Sequence, residues 1–101
     1  MIDLLARASR ELSIPQHQVA AATELLDAGN TITFIARYRK EATSGLDEVQ
    51  IQAIQDRIEY LRGLEKRRED VLRLIDEQGK LTPELEEKIR AAETLHELED
   101  L

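Results

Sequence analysis

Apolar residues recur along this chain at helical spacing, and the punctuation between them is that of helix ends. Ile2, Leu5, Ser9 and Leu12 fall on one face and predict a first short helix. Ser13-Ile14-Pro15 reads as the N-cap region of the next, with proline preset for the first turn. Val19, Ala22, Leu25 and Leu26 form the buried side of that second helix, and Gly29 is its stop. Thr31 is the next N-cap, opening a short helix through Ile32, Ile35 and Ala36. This helix ends in the run Arg37-Tyr38-Arg39-Lys40, after which Ala42-Thr43-Ser44-Gly45 reads as a loop.

From Asp47 to Gln78 no proline intervenes and the only glycine is Gly63. One helix over residues 47–78 would be roughly 48 Å long. Its apolar positions form two groups, Val49 to Leu64 and Val71 to Ile75, separated by six charged residues, Glu65-Lys66-Arg67-Arg68-Glu69-Asp70. Six residues pass more than once round a helix, so that turn has no apolar face and predicts a strut through solvent. Burial is therefore expected to be low from Glu65 to Asp70 and high at Ile54–Leu61 and Leu72–Ile75, giving sub-lobes 1–64 and 71–101. Gly79 ends the strut. Thr82-Pro83 opens a helix with Leu85, Ile89 and Ala92 inward, and Thr94 with Glu97 forms a capping box for a last one. That last helix puts Leu95, Leu98 and Leu101 on one face and meets no stop signal, which predicts a piece of a longer protein.

Composition agrees with an all-α fold and narrows the chemistry. The 101 residues suit one compact unit or two small lobes. Leu, Ile, Ala, Glu and Arg dominate, and only four Gly and two Pro are present, too few for a chain of many β-turns. No apolar run approaches the roughly 20 residues of a membrane span, and the N-terminus has neither a secretory nor a transit pattern. A cytoplasmic protein with no membrane contact is expected. The absence of Cys excludes disulfides, thiol catalysis and Cys-ligated zinc. Net charge is −7, but residues 1–75 carry 11 bases against 12 acids, whereas residues 76–101 carry 3 against 9. The acidic last quarter repels polyphosphate, and the near-neutral remainder leaves room for a local basic patch.

Specific motifs carry a family resemblance. Gly29-Asn30-Thr31, Phe34-Ile35-Ala36-Arg37-Tyr38-Arg39-Lys40-Glu41 and Gly45-Leu46-Asp47 resemble the start of the bacterial Tex transcription accessory proteins. Glu77-Gln78-Gly79-Lys80-Leu81-Thr82 and Glu97-Leu98-Glu99-Asp100-Leu101 resemble the same family in the same order. Thr33 stands where many members carry proline, and the basic stretch that follows Glu-Asp-Leu in the family is not in this chain. The resemblance implies an N-terminal helical module of a much longer protein, continued by RNase-H-like, helix-hairpin-helix and OB-fold RNA-binding domains. It also implies association with nucleic acid and transcription.

Read from the residues alone, the helix from Pro15, the turn at Gly29-Asn30 and the helix from Ile32 have helix-turn-helix spacing. A base-reading helix would present Thr31 and Thr33, and Arg37, Arg39 and Lys40 would meet phosphates. The plainer reading is that bases at a helix C-terminus complement its dipole. Tyr38 is placed to stack on a base beside Arg37 and Arg39, or simply to pack with Phe34 at a helix end. With three aromatics and no Trp in the chain, a base-stacking platform is hard to build. The Arg62 to Arg73 stretch offers Arg62, Lys66, Arg67, Arg68 and Arg73 as a second basic face, with Arg62, Lys66 and Arg67 the residues favoured for contact, against which Lys66–Asp70 and Glu69–Arg73 pairing predicts a self-compensated surface. Glu93 and His96 have Glu-x-x-His spacing, but a di-iron site needs two such motifs and two further Glu, and His17 has no acidic partner at ligand spacing. No metal, cofactor or catalysis is expected. Two functions follow: an architectural module with weak RNA or DNA backbone contacts, whose chief nucleic-acid binding lies in the missing domains, or a protein-interaction module docking transcription machinery or its own chain.

Overall fold

A computed structural model describes residues 2–100, with side chains from Leu4 onward. Seven helices run through the described residues: α1 (Ile2–Leu12), α2 (Gln16–Asp27), α3 (Ile32–Tyr38), α4 (Lys40–Thr43), α5 (Glu48–Glu77), α6 (Pro83–Ala91) and α7 (Leu95–Glu99). The chain divides into two compact units, Met1–Leu61 and Arg62–Leu101, and α5 contributes residues to each. The expectations for the side chain of Ile2 and for Leu101 fall outside the described residues.

In the first unit, α5 lays Ile51, Ile54, Ile58 and Leu61 along one stripe against Ala8, Val19, Ala22, Ile35, Ala36 and Leu46. These spacings keep side chains on one face, so a single helix can floor the cluster. Asp47 and Gln50 start α5 with a capping box. The Gln50 N–H donates to Asp47 Oδ1 at 2.8 Å, and the Asp47 N–H donates to Gln50 Oε1 at 3.1 Å. Arg57 reaches from α5 to α1 and donates through both Nε and Nη2 to the Glu11 carboxylate at 2.7 Å. That bidentate bond holds the Glu11 carboxyl below its ordinary range and the Arg57 guanidinium above its own.

Two turns differ from the expectation. Ser13 does not cap α2. It sits at φ +56° as the left-handed residue that ends α1, and the Ile14 N–H donates back to Ser9 O at 3.2 Å. Ile14 is thereby turned into the core, and Pro15 occupies the N-cap position without a side-chain bond. The second difference is a one-turn helix, α4, where a loop was expected. The Thr43 hydroxyl accepts from the Leu46 N–H, and its carbonyl accepts from the Gln18 amide at 2.9 Å, which fixes that turn.

Gly29 follows the pattern. It lies at φ +97° after α2, the Asn30 N–H donates to Leu25 O, and the Gly29 N–H donates to Leu26 O. A Cβ at Gly29 meets nothing within 4 Å, so a substitution is penalised by the backbone alone. Gly29→Val should cost about 1–2 kcal/mol. Denaturant unfolding checks this, and an unchanged midpoint would refute it.

In the second unit, Leu64, Ile89, Ala92 and Leu98 form the buried cluster, with Val71, Leu72, Ile75, Leu81, Leu85 and Leu95 packed against it. Leu64, grouped in the sequence reading with the residues before it, thus packs with those after it. Thr82 caps α6 by accepting from the Leu85 N–H at 3.1 Å, with Pro83 in the first turn. Thr94 caps α7 by accepting from the Glu97 N–H at 3.0 Å, while Glu97 Oε2 accepts from Glu93 N–H, one residue before the cap.

The charged stretch of α5 is not polar all round. Arg68 is 7% exposed, and its guanidinium donates to Ile89 O and, at 2.7 Å, to Ala92 O. Glu65 lies 3.3 Å away as its counter-charge. Within the second unit, Leu64, Arg68, Val71, Leu72 and Ile75 recur at helical spacing, and Arg68 stands where an aliphatic residue would be expected. The physical reason lies in α6, which ends at Ala91 with no glycine to close it. Its last carbonyls need donors, and a guanidinium supplies five with no acceptor to satisfy. Leu72 and Ile75, expected to be well buried, are half-buried.

Candidate nucleic-acid interface

The basic run lies at a break between two helices. α3 is capped by Thr31, whose hydroxyl accepts from the Phe34 N–H at 3.1 Å, and runs only to Tyr38. Arg39, at φ −128° and ψ 31°, is outside both helices, and Lys40 opens α4. Ile35 and Ala36 are buried, so the residues that follow them are carried outward. Arg37, Tyr38, Arg39 and Lys40 are all exposed, Tyr38 at 60%.

The four side chains are not equivalent. Arg39 donates to Tyr38 O at 3.0 Å, and its guanidinium carbon lies 4.9 Å from the centre of the Phe34 ring. Phe34 and Tyr38 rings are 5.2 Å apart and tilted by 47°. Arg37 and Lys40 have no ion pair or side-chain hydrogen bond among the described residues. They flank a shallow depression of about 350 Å³ that also touches Leu46, Asp47 and Glu48. Most other arginines of the chain face acids: Arg7 and Arg57 face Glu11, Arg73 faces Asp70 and Arg90 faces Glu86. The run thus holds cations that the fold itself does not use.

The second basic face is already partly spent on the fold. Arg67 donates through Nε and Nη2 to the Glu99 carboxylate at 2.7 and 3.3 Å, which raises the arginine and lowers the glutamate from their ordinary values. Arg62 and Lys66 are exposed beside it. The pairing is not the expected one at four-residue spacing: Arg73 meets Asp70 and Arg68 meets Glu65, each three residues back. His96 Nε2 lies 3.3 Å from Asp100 Oδ2. No group of three metal-ligating side chains occurs among the described residues. None of the helices is long and apolar enough to cross a membrane.

Sequence reasoning located the basic run, left Tyr38 between stacking and packing, and missed the support of the turn that follows the run. Gln18, from α2, holds the carbonyls of Thr43 and Ser44 at 2.9 and 3.2 Å. A polar residue one position before buried Val19 gave no signal of a contact 25 residues away. Arg68, expected on the second basic face, is instead buried in the second unit. Its signal was available as a continuation of the apolar stripe through the charged turn.

These features define a class, a small all-helical module with an exposed basic corner. The model of the Tex-like protein N-terminal domain matches residues 2–76, and the chain belongs to that family. The transcriptional accessory protein Tex of Neisseria gonorrhoeae is 54% identical over 93 residues, which is 92% of this chain and 12% of that protein. The protein tex of Bordetella pertussis is 52% identical over 98 residues, 97% of this chain and 12% of that protein. The human S1 RNA-binding domain-containing protein 1 is 31% identical over 97 residues, 96% of this chain and 10% of that protein. The chain therefore spans about 12% of the length of the bacterial relatives.

Proposed function

We propose that this chain is the architectural N-terminal module of a Tex-like, cytoplasmic transcription accessory protein, without catalysis, that adds weak backbone contacts to nucleic acid. The observation that carries the reading is the corner at Arg37 to Lys40, where two exposed cations have no partner in the fold. The names of the relatives, one a transcriptional accessory protein and one an S1 RNA-binding domain protein, support the same reading. Base reading by a helix-turn-helix has less support. The second helix is seven residues long, and the hydroxyl of Thr31 is engaged in its own cap.

Three cations neutralise few phosphates. The slope of log affinity against log salt for duplex should be shallow, about −2 to −3, and affinity at physiological salt about 10⁻⁴ M or weaker. Replacing Arg37, Arg39 and Lys40 together by Glu should abolish this binding and weaken the full-length protein equally across sequences, since phosphate contacts carry no sequence information. Unchanged binding by the full-length protein would overturn the reading.

A second reading has its own observation. Val49, in the first turn of α5, is 78% exposed and lines a depression of about 620 Å³ together with Thr31, Ile32, Thr33, Glu48, Gln52 and Gln55. An apolar side chain in that setting suits a protein partner. Binding that survives the triple reversal, resists salt and is lost in Val49→Asp would select it.

A further inference from the structure

We propose that Tyr38 seats one unpaired base, so that the strand held at this corner is single-stranded rather than duplex. The inference rests on the nucleic-acid reading above and adds to it the state of the ligand.

Tyr38 is the last residue of α3 and is 60% exposed. Its ring is nonetheless held: Phe34 lies 5.2 Å away, and Arg39 packs over Phe34 while bonding to the Tyr38 carbonyl at 3.0 Å. An aromatic ring braced on one side loses little freedom when a second ring stacks on it. Arg37 and Lys40, two exposed cations without a partner among the described residues, stand one residue before and two residues after it in the sequence. A strand whose base stacks on Tyr38 therefore has two cations of the same exposed run for its phosphates. Glu41 follows Lys40, and Asp47 and Glu48 line the same depression as Arg37 and Lys40, which limits the contact to a short stretch of strand.

Duplex does not use such a ring. Its bases are already stacked inside the helix, and exposing one costs a few kcal/mol that a single exposed Tyr must then recover. A single strand offers the face of every base, and stacking on an aromatic ring tolerates any sequence. The other tyrosine, Tyr60, is half-buried with the Arg57 guanidinium 5.1 Å above its ring. The corner therefore seats one base, not a run of them.

Fluorescence provides the test, because the chain has no Trp and two Tyr. In a Tyr60→Phe background of this chain, Tyr38 is the emitter. Titration at low salt, up to millimolar strand, uses oligothymidylate of about ten nucleotides, a typical single-strand site size. A matching oligouridylate separates DNA from RNA. Either strand should quench Tyr38 emission, and added salt should restore it. Duplex of the same length should bind through the cations without quenching. In the parent chain, Tyr38→Ala should weaken single-strand binding about tenfold, and Tyr38→Phe should retain it. Duplex binding should be the same in all three. Absence of quenching at millimolar strand overturns the proposal. So does equal single-strand affinity for Tyr38→Ala and the parent while the triple Glu variant loses binding, an outcome that leaves the backbone reading standing. Binding insensitive to the triple Glu variant removes that reading instead.

Discussion

Arg68→Ala should destabilise the second unit by about 3 kcal/mol. The buried guanidinium makes charge-assisted bonds to Ile89 O and Ala92 O, and its loss leaves both carbonyls without those donors. It also leaves Glu65 without its counter-charge and opens a void on the stripe between Leu64 and Val71. Arg68→Met restores much of the volume but no donors and should recover only a minor part of the loss. Arg68→Lys keeps the charge but lacks the planar fork that reaches both carbonyls, and it should fall between. The second unit comprises residues 62–101, a size at which a single core is marginal. A loss of this size should therefore leave α6 and α7 largely unprotected in amide exchange while α1 to α4 keep their protection. A midpoint for Arg68→Ala within 0.5 kcal/mol of the parent would show that the cap does not matter.

The fold was legible where local rules decide it. Helical spacing located α2, α3, α5 and α6 to within a residue or two, and Thr31, Thr82 and Thr94 cap the helices they were expected to open. These signals act within one turn and need no knowledge of the neighbours. Ser13 shows their limit. A serine before Ile-Pro has the look of an N-cap, yet the burial of Ile14 turns the chain there and puts Ser13 in the left-handed region. The break at Arg39 has the same origin: Thr43 and Leu46 are buried, so the chain must re-enter the core after the basic run. Arg68 is the clearest case. Its neighbours in sequence are charged and most are exposed, and its burial is set by α6, more than twenty residues away. At the candidate site, the composition of the corner was readable in the sequence. Which cations the fold leaves unpaired was not, because that depends on where each acid ends up.

Arg67→Pro should cost about 3 kcal/mol or more. Residue 67 lies in the interior of α5, where its N–H donates to the carbonyl of Gly63, and a proline ring would both remove that bond and clash with that carbonyl. The kink falls one residue before Arg68 and would carry its guanidinium away from α6, adding loss of the cap to loss of the helix. Arg67→Ala is the control. It removes the exposed pair with Glu99 and keeps the helix, so it should leave the second unit folded. The first unit draws on α5 only as far as Leu61, six residues before the proline. Its cluster of Ile51, Ile54, Ile58 and Leu61 should therefore survive. Residue-resolved amide exchange would show protection retained in α1 to α4 and in α5 up to about Leu61, and lost from Leu64 onward. Single, simultaneous loss of protection throughout the chain would mean that the two units fold as one. The charged turn of α5 would then couple the two clusters, a stronger role than the passive strut its composition suggests.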